Sequence, residues 1–94
     1  MIYLVSYDLN ADSGNYAVVK ETIKSLGDVK QCLESVWLVS TDLHCADIFK
    51  SINEVLNKGD RCFVCRMYDK EYCGVTLSEY KVWEWLAAKS VLCA

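Results

Sequence analysis

Ninety-four residues, 53% hydrophobic and 24% charged, with four glycines and no proline, predict one folded domain over residues 1–94; they exclude a disordered chain and two independent domains. Thirteen acidic against ten basic residues leave a formal net charge of -3, with arginine confined to Arg61 and Arg66, so there is no general basic footprint for neutralising nucleic-acid phosphates. No apolar run reaches a membrane span, and the opening residues alternate like a strand instead of following an export signal, so a cytoplasmic protein without membrane contact is expected.

Residues 2–9 set Ile2, Leu4, Ser6 and Asp8 against Tyr3, Val5, Tyr7 and Leu9, which predicts a first strand. The polar stretch 10–15 breaks the pattern. Tyr16, Val19, Ile23 and Leu26 then recur at helical spacing as far as Gly27, predicting a helix over about 15–26. Residues 32–41 alternate again, enough for one bent strand or two short strands in a hairpin. Cys45, Ile48, Phe49, Ile52, Val55 and Leu56 fit a second helix ending before Gly59, and residues 60–67 return to strand. This βαββαβ order is that of a ferredoxin-like α+β sandwich, an antiparallel sheet with both helices on one face. Beyond it, Thr76-Leu77-Ser78-Glu79 has the form of a capping box and residues 80–92 read as a third helix, so residues 75–92 form a C-terminal helical extension.

Two helices cover only one face of such a sheet. The first strand is bulky on both sides, as are Trp37 with Val39 and Val36 with Leu38, so the second face needs a cover. Either the C-terminal helix, with Val82, Trp83, Trp85 and Leu86, or a second copy supplies it. A homodimer sealed in part by the tail is the expected arrangement.

Without an export signal, the six cysteines are expected to stay reduced. Cys62 and Cys65 have the spacing of a metal or redox pair, but in a strand positions three apart point to opposite faces, so both read as small buried hydrophobes. Asp8 ends the first strand beside a polar loop. Two copies of it across a two-fold axis would share one divalent cation such as magnesium, which could polarise a phosphate or acidify a water; alternatively, Asp8 caps the loop through its own side chain. Tyr7, Asn10 and Tyr16 line the cleft expected at the dimer seam. His44, the sole histidine, suits a capping or surface role at the start of the second helix. Ser6 has no nucleophile elbow around it, the glycines form no phosphate-cradling run, Trp83 and Trp85 read as core, and Lys20, Lys24 and Lys30 as a solvated face.

The segments Ser6-Tyr7-Asp8-Leu9-Asn10, Leu26-Gly27, Leu33-Glu34-Ser35-Val36-Trp37-Leu38-Val39, Thr41-Asp42-Leu43, the closing strand 60–67 and the Trp-rich tail resemble the Cas-two superfamily of small ferredoxin-like dimers, with the VapD toxins as relatives. The chain is still more similar to the short bacterial SinR-like proteins, and the resemblance covers almost its whole length. It implies that Asp8 is the metal ligand and catalytic acid of a magnesium-dependent endoribonuclease, and that Trp37 takes the aromatic place in the Ser-Val-Phe segment. Where such proteins carry arginines, this chain offers Asn10, Tyr16, Lys20, Lys30 and Gln31. A single acid without surrounding cations stabilises a phosphoryl-transfer transition state poorly. The expected function is therefore a homodimeric binding or scaffold protein of bacterial or mobile-element origin, with weak or absent nuclease activity and RNA or DNA as a further partner. The alternatives are an endoribonuclease using paired Asp8 carboxylates with magnesium, and a nucleotide-binding protein using Tyr7, Asn10, Tyr16 and Trp37.

Overall fold

A computed structural model describes residues 1–10, 12, 14–68 and 71–93, with side chains as far as Lys89. Strands β1 (Ile2–Asp8), β2 (Asp28–Leu33), β3 (Val36–Ser40) and β4 (Arg61–Met67) form one antiparallel sheet in the order β2-β3-β1-β4. Helices α1 (Tyr16–Lys24) and α2 (Cys45–Asn53) connect β1 to β2 and β3 to β4, and α3 (Val82–Cys93) follows the sheet. Each crossover leaves room for one strand between the two it joins, which gives the ferredoxin-like α+β fold with a C-terminal helix.

The alternation in β1 sorts the two faces. Tyr3, Val5 and Tyr7, with Trp37 and Val39 of β3, pack against Val19 and Ile23 of α1 and Ile48 and Ile52 of α2. On the reverse face Ile2 and Leu38 meet Val82 and Leu86 of α3, forming a second and smaller core. Among the described residues no helix is long and apolar enough to cross a membrane.

Three boundaries differ from the sequence reading, each for a local reason. β2 begins at Asp28 rather than near Cys32, because Asp28, Lys30 and Gln31 occupy an edge strand that tolerates polar side chains. The pairing also shifts register between Gln31 and Leu33. α2 stops at Asn53, so Val55 and Leu56 reach the core from the turn that follows it. The box at Thr76 does not cap α3: a single 3-10 turn, Ser78–Tyr80, opens after Leu77 without a side-chain cap, and Lys81 adopts a left-handed backbone (φ 53°) before α3 starts. Gly27 is fixed by space, since a Cβ there would lie 2.5 Å from the Ser40 carbonyl oxygen.

Candidate binding face

In the β1–β4 ladder Asp8 lies opposite Arg61 and Ser6 opposite Phe63, while Val36 of β3 faces Ser6 from the other side. Residues directly opposite across an antiparallel pair share a face, so all five belong to the reverse side of the sheet, away from α1 and α2. α3 packs on that side against Ile2 and Leu38, with Leu4, Cys32 and Met67 beside them. The Asp8 end stays open, with Phe63 65% exposed. Under the tail lies an apolar cavity of about 300 Å³, walled by Leu4, Val36 and Leu38 from the sheet and Tyr72, Trp83 and Leu86 from the C-terminal segment.

The tail is held at its far end by a polar clasp. The Trp85 indole Nε1–H donates to one Asp28 carboxylate oxygen at 3.3 Å and the Lys89 ammonium pairs with the other. The Lys89 contact, aided by the indole, holds the Asp28 carboxyl below its usual range against the opposing pull of desolvation.

Tyr7 and Trp37 point the other way. They are 4% and 5% exposed, and the Trp37 Nε1–H donates to the Tyr7 hydroxyl at 3.2 Å. Burial pushes the Tyr7 phenol up, with the indole hydrogen bond opposing the shift. The expected ligand roles of Tyr7 and Trp37 give way to a core role, because both rings are buried in the cluster between the sheet and the two helices. Tyr16 is exposed on α1, its ring 6.2 Å from that of Tyr7. Asn10 ties the loop after β1: its backbone N–H donates to Asp60 Oδ1 at 2.7 Å and its side-chain oxygen accepts from the Asp12 N–H at 3.1 Å. Asp60 Oδ2 also accepts from the Asn57 N–H at 2.8 Å, so the loop cap expected from Asp8 comes from Asp60 and Asn10. Sequence reading also missed Asn15, whose side-chain amide donates to the Val55 carbonyl and ties the start of α1 to the turn after α2.

A magnesium ion wants near-octahedral oxygen ligation, normally including one or two carboxylates. Within one chain the residues at Asp8 do not fit it: the cross-strand neighbour of Asp8 is Arg61, whose positive charge disfavours a cation there, and no group of three His, Cys, Asp or Glu gathers among the described residues. A second carboxylate would have to come from another copy. Cys62 pairs with Tyr7 and Cys65 with Leu4, placing the two thiols on opposite faces as strand geometry predicts. Burial pushes the Cys62 thiol up to about 11. The Cys45 thiol donates to the Val64 carbonyl at 3.3 Å. His44 precedes α2 and accepts the Asp47 and Ile48 N–H groups through its backbone carbonyl, without a side-chain cap.

No family model matches the chain, and no curated protein matches it. Among solved structures it is similar to a hypothetical protein from Thermus thermophilus, with a TM-score of 0.61 and 23% identity over 80% of this chain and 92% of that one. The likeness supports the ferredoxin-like fold.

Proposed function

We propose that the chain is a cytoplasmic, homodimeric binding or scaffold protein related to the Cas-two and SinR-like proteins, of bacterial or mobile-element origin, in which nuclease activity is weak or absent. One observation carries this reading: the reverse sheet face is left partly open and apolar, and the single carboxylate on its rim is set against Arg61. An exposed apolar face of this kind favours docking of another surface. Phosphoryl transfer instead needs cations gathered around the transferring group, which one acid does not provide.

Asp8 favours a second reading. It is exposed, ends β1 and lies on the side of the sheet where two copies would meet, which suits a magnesium-dependent endoribonuclease with paired Asp8 carboxylates. The nucleotide-binding reading retains Asn10 and Tyr16 but loses Tyr7 and Trp37 to the core.

Structured RNA and DNA incubated with the full chain across a magnesium titration, with Asp8→Asn alongside and mass measured by light scattering, separate the readings. The expected result is a dimer and no cleavage that depends on Asp8. Metal-dependent cleavage abolished by Asp8→Asn supports the enzyme instead, and a monomer at every concentration refutes the homodimer.

A further inference from the structure

One chain alone supplies every wall of the cavity under the tail. The sheet side is aliphatic, from Leu4, Val36 and Leu38, and the tail side is largely aromatic. There the rings of Tyr72 and Trp83 lie with centroids 6.3 Å apart and planes 19° from parallel, an offset stack that a further flat ring can extend. Leu33 and Trp83 line the cavity and remain 47% and 41% exposed, so apolar surface at its mouth stands in water until something fills the space. At about 300 Å³ the cavity equals roughly ten waters in the liquid, which is room for a small molecule and not for a folded partner.

None of the described residues that line it is charged. Ser6 and Thr76 contribute hydroxyls, and Cys32 contributes a thiol that burial pushes up and so keeps neutral. Such walls reject an ion, because a buried charge without a partner is costly, whereas a single hydroxyl or N–H on a ligand finds a hydrogen-bonding group there. We propose that the cavity is a binding site for a flat, neutral, apolar molecule of two or three rings bearing one hydrogen-bonding group, held between the sheet and the Tyr72–Trp83 stack.

The placement of charge agrees. Asp28, Trp85 and Lys89 anchor the tail, and none of the three lines the cavity. The polar clasp therefore fixes α3 at a distance while the walls around the ligand stay apolar. Trp83 makes the aromatic wall, so its loss weakens binding most directly. Phe63 is exposed on the same side of the sheet but does not line the cavity, which makes it a control for apolar surface in general.

The neutral three-ring dye N-phenyl-1-naphthylamine, which brightens when it leaves water, tests the site on the full chain, with circular dichroism confirming that each variant is folded. The parent should bind it with a dissociation constant on the order of 10–100 µM. Trp83→Ala should weaken binding about tenfold, Val36→Trp, which fills the space, by about tenfold or more, and Phe63→Ala by less than about twofold. The anionic analogue 8-anilinonaphthalene-1-sulfonate should bind at least about tenfold more weakly than the neutral dye. Bound dye should also slow alkylation of the exposed Cys73, which lines the cavity, by about fivefold. No binding to the folded parent, parent-like binding by Trp83→Ala, or an unprotected Cys73 overturns the site, and equal affinity for the anionic dye overturns the neutral ligand. A dye signal that falls as chain concentration rises shows a second copy filling the cavity and overturns the proposal as well.

Discussion

Replacing Tyr7 by Phe tests whether the Tyr7–Trp37 pair belongs to the core or to a binding cleft. The change removes one oxygen from a ring that is 4% exposed and leaves the packed volume almost untouched. What remains is the Trp37 Nε1–H, on a side chain 5% exposed, without the acceptor it holds at 3.2 Å. A buried donor stripped of its partner costs about 1–3 kcal/mol. In a domain of this length each kcal/mol shifts the melting temperature by roughly 4–8 °C, so Tyr7→Phe should lower it by about 5–20 °C.

Thermal and urea unfolding followed by far-ultraviolet circular dichroism provide the assay, with the urea slope unchanged and only the midpoint moved. A double-mutant cycle isolates the hydrogen bond. In a Trp37→Phe background the hydroxyl no longer answers an indole, so removing it there should cost about 1 kcal/mol less than in the parent. A parent-like melting temperature for Tyr7→Phe, or a cycle that is additive, would refute the core assignment and return Tyr7 to the list of ligand-facing residues.

Burial supplies a pH prediction at Cys62. The folded thiol stays neutral to about 11, whereas an unfolded thiol ionises near 8.5, so between those values the unfolded state holds fewer protons and stability falls as pH rises. Cys62→Ala should flatten that part of the stability curve in urea titrations at several pH values, and a thiol reagent should label the exposed Cys73 well before Cys62. Asp28 behaves in the opposite sense. Its folded-state carboxyl is held low by Lys89 first and Trp85 second, so its contribution is present above the unfolded value of about 3.9 and is lost as pH falls through the lower folded value. Asp28→Asn at neutral pH should speed amide hydrogen exchange in α3 while leaving α1 unchanged; equal protection of α3 in both proteins would show that the clasp does not hold the tail.

The sequence made the architecture legible because β1 is apolar with period two on both sides, so one strand announces two packed faces. The same rule applied to Cys62 and Cys65 correctly separated them, and applied to Tyr7 and Asp8 it already contains their separation. The first strand of the hairpin was read late because Asp28, Lys30 and Gln31 carry no apolar alternation, and an edge strand does not require one. The loop after β1 was beyond reach for a different reason. Asp60 binds Asn10 across fifty residues and Asn15 binds Val55 across forty, and no local spacing encodes a hydrogen bond of that range. Capping was misread at Thr76 because a Thr-x-x-Glu pattern marks a helix start without saying how long the helix is. Lys81 ends the turn after Ser78–Tyr80.

The two ends of β1 differ in what covers them. α3 packs on the end at Ile2 and is held there through Val82, Leu86 and the Asp28 clasp, while Asp8 ends the same strand beyond those contacts and exposed, so a second surface can reach its carboxylate without displacing the tail.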